Sequence, residues 1–185
     1  MVKKILIILI VFLGVSNIVS GDLSESHIEA MEMAYNHYQK QLMVDNEIKR
    51  RLKIVRVHAF VESSFNSKGY NKSENAIGYL QIRKIMVKEI NLHTGFEFTH
   101  LQCFSKEISE KAFIAFQNEF NPAWDLELAA RRWNGGRQGE LKKSTLEYYQ
   151  KIKKNYNKVS IFTKKNHLKK MLCHYIIQLD LKAKR

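Results

Sequence analysis

The chain has one proline, two cysteines and eight glycines in 185 residues, and only 18 acidic side chains against 31 Lys and Arg. Each shortage excludes something. So little proline and glycine rules out a collagenous, linker-rich or low-complexity chain. A hydrophobic fraction of 45% with 11% aromatics is enough to bury a core, which rules out a disordered basic tail. Cys103 and Cys173 are too few for a disulfide scaffold or a Cys-rich zinc site; they allow one bridge in an oxidising compartment, or two unpaired thiols. The seven histidines show no HExxH or comparable ligand spacing, so no metal and no cofactor are expected. The shortage of acid leaves a formal net charge of +13, unevenly spread. Residues 141–185 hold 13 Lys or Arg against Glu147 and Asp180, a net of +11, which leaves +2 for residues 1–140.

At the N-terminus Lys3 and Lys4 precede an unbroken apolar run from Ile5 to Leu13, then Gly14 and small or polar residues up to Gly21. This is the layout of a secretory signal peptide over residues 1–21, with a cut ahead of Asp22. The run is short for a membrane span of about 20 residues; a retained N-terminal anchor is the other reading. The expectation is an exported protein, periplasmic or secreted. Nucleic acid is not an expected partner: the charge suits it, but no interleaved aromatic motif accompanies that charge and the export signal speaks against it.

Beyond residue 21 the pattern is helical. Ser26 and Glu29 have capping-box spacing, and Ile28, Met31, Tyr35, Tyr38 and Leu42 recur every three or four residues, which predicts one amphipathic helix. A second is predicted over 48–65, with Leu52, Val55, Ala59 and Phe60 on one side and Arg50, Arg51 and Lys53 among the polar positions. A polar loop follows over 66–75, and a third helix over 80–92. Ser105 caps a fourth carrying Ile108, Ala112 and Phe116. Asn121 and Pro122 read as N-cap and first residue of a fifth, which carries Leu126, Ala129, Ala130 and Trp133 and stops at Gly135 and Gly136. Thr145 opens a last helix with Tyr149, Ile152 and Tyr156. Strand signals are confined to a small excursion near residues 66–79. The predicted architecture is mostly α, a single domain over residues 22–157 with a basic extension over 158–185.

One acid is out of place. Glu62 follows Ala59, Phe60 and Val61 at the end of an apolar helix and precedes Ser63, Ser64 and Phe65. A carboxyl there is partly desolvated, which raises its pKa and lets it donate a proton near neutral pH. Three further segments follow in order: Ala76-Ile77-Gly78-Tyr79-Leu80-Gln81-Ile82, then Ala129-Ala130-Arg131-Arg132-Trp133-Asn134-Gly135-Gly136, then Thr145 with Tyr148, Tyr149 and Ile152.

Together with Glu62-Ser63 these segments resemble the soluble lytic transglycosylase family. That family has a Glu-Ser motif, a Gly-Leu-Met-Gln-Ile motif, an Ala-Tyr-Asn-x-Gly motif and a closing Thr-x-x-Tyr-Val helix. The resemblance spans about residues 61–152. The chain departs from the pattern at Tyr79 and Leu80, where the family has Leu and Met, at Arg83, where it often has Pro, and at Trp133, where it has Tyr. The last change keeps an aromatic group but loses a hydroxyl able to hydrogen-bond the catalytic carboxyl, for which Tyr148 or Tyr149 is the substitute candidate.

The resemblance implies a lysozyme-like helical fold that cleaves the β-1,4 bond from N-acetylmuramic acid to N-acetylglucosamine in peptidoglycan glycan strands. Glu62 would be the single acid and base, leaving a 1,6-anhydromuramoyl end. Glu74, just before the second motif, reads as a solvated loop acid. Gln81 and Asn134 would hydrogen-bond acetamido groups, and Tyr79 or Trp133 would lie against sugar rings. Ser63 would orient the Glu62 carboxyl or hold a muramoyl substituent, and Gly78 would allow close backbone approach at the cleft. For Trp133 core packing is the competing reading, for Asn134 capping of its helix, and for His58 a packing or surface role. A goose-type muramidase has the same acid with water as acceptor; a wall-binding module without catalysis is the alternative from another class. The segment 158–185, where lysines alternate with apolar residues, reads as a basic amphipathic helix for an anionic membrane or wall surface, or as a tail or a helix packed on the domain.

Overall fold

The computed structural model describes residues 25–159. The signal-like segment, Cys173 and all but the first two residues of the basic extension lie outside them. The described residues form five α-helices and a three-stranded antiparallel sheet of two-residue strands, mostly α with a small β excursion, as the periodicity predicts. They divide into two compact units between Asn46 and Glu47, a boundary that the sequence did not suggest. Among the described residues no helix is long and apolar enough to cross a membrane.

The first two expected helices are one, α1 (Glu25–Ser63). No glycine or proline occurs from residue 22 to residue 68, so nothing local stops the helix at the polar stretch around Asp45 and Asn46. Ser26 is inside the helix rather than at its cap. In the first unit the expected apolar stripe is largely open, with Ile28, Tyr35 and Leu42 exposed. In the second unit Ile48, Leu52, Val55 and Ala59 are buried at their three- and four-residue spacing, while Phe60 turns outward onto Phe65, ring centroids 5.6 Å apart. Arg51, expected among the polar positions, is buried; its Nε donates to Glu47 at 2.6 Å and its guanidinium covers the Trp124 ring.

Strands β1 (Tyr70–Asn71), β2 (Ala76–Ile77) and β3 (Ile82–Arg83) run antiparallel in that order, with Ile77 opposite both Tyr70 and Ile82. The sheet thus reaches beyond the expected residue 79, and pairing of β3 with β2 delays α2 to Lys84–Thr94. Helix α3 (Lys106–Phe120) starts where expected, the Ser105 hydroxyl accepting from the Ile108 amide, and every residue from Ala112 to Gln117 is buried. The expected cap at Asn121 is a correction. Asn121 closes α3, its amide donating to Gln117 O at 2.7 Å, and Asp125 caps α4 (Leu126–Gly135) by accepting from Leu128 N at 2.8 Å. Asn121 is held in the intervening turn, where its Oδ1 accepts from the Asp125 amide at 3.0 Å. Helix α5 (Leu146–Tyr156) follows Thr145, whose hydroxyl is engaged with the Gly139 and Lys142 carbonyls, both at 2.8 Å, rather than with the helix amides.

Two contacts bring α1, α4 and α5 together. Val57, Ala130 and Ile152, one from each helix, share a buried cluster that Val61 and Tyr148 flank. Gly139 lies so close to α4 that a Cβ on it would sit 1.9 Å from the Arg131 carbonyl oxygen. The chain therefore turns back tightly from α4 and sets α5 beside the end of α1.

Candidate active site

Glu62 lies in the last turn of α1. The helix ends there because Ser64 and Phe65 adopt successive left-handed conformations, φ 51° and 68°, with their amides returned to Phe60 O and Ala59 O. Such conformations in residues other than glycine are sparsely populated and need surrounding structure to hold them. The Phe65 ring supplies part of that, between Phe60 and Tyr79 and under the Arg56 guanidinium.

The Glu62 carboxyl is largely withdrawn from water, and burial pushes its pKa up to about 7. The opposing influences are weaker. In order, they are a hydrogen bond from Tyr148, the Arg83 charge and hydrogen bonding from the Trp133 side chain, all favouring the ionised form, while the Glu74 charge works with burial. The Tyr148 hydroxyl donates to Glu62 Oε1 at 2.6 Å, and its own pKa is raised, by burial first and then by the neighbouring carboxyl. Of the two candidate tyrosines it is Tyr148 that faces the acid. Beneath lies His58, fully buried, Nδ1 2.7 Å from Ile54 O and its ring 4.8 Å from Phe113; burial pushes its pKa down to about 4, so it is a neutral core residue.

The second motif works mainly from below. Gly78 has φ 76°, and a Cβ on it would lie 2.1 Å from the Cys103 carbonyl oxygen. The close approach it permits is to the 3-10 turn Leu101–Phe104, not at the cleft as expected. Tyr79 and Leu80 are core residues, 2% and 0% exposed, and the Leu80 amide donates to the buried Ser109 hydroxyl at 3.2 Å. Tyr79 therefore has no ring face for a sugar. Ser63 does not address the carboxyl either; its hydroxyl donates to Tyr79 O at 2.8 Å and stitches the end of α1 to the sheet. Gln81 is the cleft residue of this motif. It too has a left-handed backbone, φ 47°, with Nε2 donating back to Gly78 O at 2.9 Å, so its Oε1 is the atom best left for a ligand.

The third motif closes the other side. Trp133 is 3% exposed, its ring centroid 4.7 Å from that of Phe113 and 5.6 Å from that of Phe116. It borders the acid from within the core and offers no open ring face, so the packing reading holds for its ring. Asn134 is still helical, one residue before the end of α4, and lines the cleft; the residue after the helix is Gly136. A narrow pocket of about 30 Å³ joins Glu62, Gln81 and Asn134 with Glu74 and Arg83. Neither Glu74 nor Arg83 was among the expected site residues. Arg83 stands where the motif that the sequence resembles often has Pro; Glu74 reads from the sequence as a solvated loop acid, and the fold brings it to the pocket, where β2 runs back against β3 with Ala76 opposite Arg83. Arg83 Nη2 donates to Asn134 O at 2.7 Å, tying sheet to α4 across the cleft.

Among the described residues no group of three or more His, Cys, Asp or Glu converges to hold a metal ion. What converges is one acid of raised pKa with a phenolic hydroxyl fixed on it, a second carboxylate in Glu74, two amide residues and one cation. That set can move a proton and hold a polar, uncharged ligand by its amides and hydroxyls. No protein-family model, no curated protein and no solved structure matches the chain.

Proposed function

We propose that the protein is a peptidoglycan lytic transglycosylase of lysozyme-like fold with Glu62 as its single acid and base. The observation that carries this reading is the Glu62 carboxyl, held near neutral proton affinity by burial and fixed by Tyr148 at 2.6 Å in a cleft that also holds Gln81 and Asn134. The four motifs in order support the choice of substrate.

The chemistry follows from those groups. Protonated Glu62 gives its proton to the glycosidic oxygen as the bond to the muramoyl C1 breaks, and the substrate's own 2-acetamido group stabilises the positive charge that develops there. The carboxylate so formed, steadied by the Tyr148 hydroxyl, takes the proton of the muramoyl 6-hydroxyl while that oxygen closes on C1. Glu62 is thereby reprotonated and no water is consumed. Gln81 and Asn134 hold acetamido groups, in keeping with their amide chemistry.

A second reading, hydrolysis, is favoured by one observation: Glu74 gives the pocket a second carboxylate, and a paired acid is what positions a water in many glycosidases. Mass spectrometry of muropeptides released by wild type and Glu62→Gln tests both. Anhydro ends that vanish in the variant are the expected result; reducing muramic acid ends would replace transglycosylation by hydrolysis. Equal products from both proteins would remove Glu62 from the chemistry, and none from either would leave only a wall-binding module. On the same reading the protein is exported and the basic segment 158–185 keeps it near an anionic envelope. Salt-sensitive binding to anionic vesicles should disappear when that segment is deleted.

A further inference from the structure

Tyr148 can hold the Glu62 carboxyl only while α5 keeps its place along its own axis. The hydroxyl lies 2.6 Å from Glu62 Oε1, and a slide of about 1 Å would carry the pair to a separation at which no hydrogen bond remains. Apolar packing does not set a position so finely. Ile152, one turn beyond Tyr148, is buried in the cluster with Val57 and Ala130, but burial of this kind is non-directional and tolerates sliding. Only directional contacts at the start of the helix can fix its height.

Thr145 makes them. It is 1% exposed and already helical in backbone, and its spacing of three residues puts Tyr148 on the same side of the helix. Its Oγ1 accepts from Arg131 Nε of α4 at 3.1 Å and has the Gly139 and Lys142 carbonyls, each at 2.8 Å, to receive its one proton. The methyl group closes against Gly135, where a Cβ would lie 2.7 Å from it. Arg131 is fixed in turn, Nη1 donating to Glu127 at 2.8 Å and Nη2 to Lys142 O at 3.3 Å. One buried hydroxyl thus joins α4, the turn at Gly139–Leu141 and the start of α5. Any other height of α5 would leave that hydroxyl unpaired, which is costly in a buried site.

We propose that Thr145 is a positioning residue for the Glu62 carboxyl, acting through Tyr148 and anchored by Arg131, an inference that rests on the function proposed above for the use made of the proton. Arg83, Glu74 and Trp133 also act on this carboxyl, from β3, from the loop before β2 and from α4. None of them is a hydrogen-bond partner of Thr145, so its influence runs by way of α5.

The Glu62 carboxyl itself provides the readout, by carbon-13 NMR titration of the full chain, which needs no substrate. Thr145→Val keeps the branched shape and removes the hydroxyl. Its Glu62 midpoint should rise by about one pH unit, as in Tyr148→Phe, because a hydrogen bond to the ionised form is lost. Thr145→Ser keeps the hydroxyl and should hold the wild-type midpoint. Thr145→Val combined with Tyr148→Phe should titrate like Tyr148→Phe alone. An unmoved midpoint in Thr145→Val, or an equal rise in Thr145→Ser, overturns the positioning role; so do shifts that add in the double variant, since they bypass Tyr148. If Thr145→Val does not fold, Arg131→Lys, which keeps the charge and loses the Nε donor, should raise the midpoint in the same direction, and no rise overturns the role. Wall lysis should fall about tenfold with the rise. Midpoints that move as stated in a protein without lytic activity would sink the proposed function and leave Thr145 as the residue that positions Tyr148 on Glu62.

Discussion

The two sides of the Glu62 cleft are built from different materials. One is dry: the buried Trp133 borders the pocket from the core, and Tyr148, its ring 6.1 Å from that of the buried His58, presents its hydroxyl to the acid. The other is wet and charged, with Glu74, Gln81, Arg83 and Asn134 bordering the pocket and Lys142 farther out. The dry side sets the scale of the Glu62 pKa, because removing water from a carboxyl outweighs any single neighbour here. The charged side trims that value with opposite signs, Arg83 downward and Glu74 upward. A carboxyl that must give up and regain a proton near neutral pH needs both.

The largest effect should come from the acid itself. Glu62→Gln should lower the rate of wall lysis by roughly a thousandfold or more, within the range lost when a general acid is removed. Its stability should move the other way. The folded-state pKa of Glu62 is raised, so its stabilising contribution is fully present below the unfolded value of 4.5 and is lost as pH rises through about 7. Wild type should therefore weaken across that window, by up to about 3 kcal/mol. Glu62→Gln should not; an unaltered slope of denaturant stability against pH would show that the dry side does not govern this carboxyl.

Next comes the scaffold of the dry side. Gly78→Ala meets the Cys103 carbonyl at 2.1 Å with a positive φ. It should cost about 3 kcal/mol or more in unfolding free energy, and a near-neutral result would mean that the sheet is not pinned there. Tyr148→Phe should lower kcat by about tenfold and raise the alkaline limb of the pH–rate profile above about 7, since the hydroxyl favours the ionised acid. A limb that falls instead would reverse its role.

The smallest effects separate the charges of the wet side. Arg83→Gln removes a nearby cation and should move the alkaline limb up; Glu74→Gln removes an anion and should move it down. Shifts in one common direction would break the contrast. A collapse of kcat in Glu74→Gln, rather than a shifted limb, would make Glu74 a participant and favour hydrolysis.

Much of this was readable along the chain because it depends on neighbours in sequence. The buried spacing of Ile48, Leu52, Val55 and Ala59, the cap at Ser105 and the stop at Gly135 and Gly136 are local. So is the apolar run that marks Glu62 as an acid out of place. The misreadings have local causes as well. Asn121 with Pro122 carries the signature of a helix start, but the same residues serve to end α3, and the choice went to Asp125. Tyr79 and Trp133 carry the residue types of sugar platforms, yet an aromatic ring packs as readily inward as outward, and both are core.

Sequence alone therefore determined that the described residues are mostly helical and that Glu62 is the acid out of place, since periodicity and composition act over a few residues; the grouping of three further segments with it rested on a resemblance. Only the tertiary structure decided which groups touch that acid. Tyr148 lies 86 residues away from it along the chain. It reaches Glu62 because Val57, Ala130 and Ile152 pack together and Gly139 lets the chain fold back on α4. Arg83 acts on Glu62 for the same reason: close packing of distant segments, not sequence spacing, determines which charges meet.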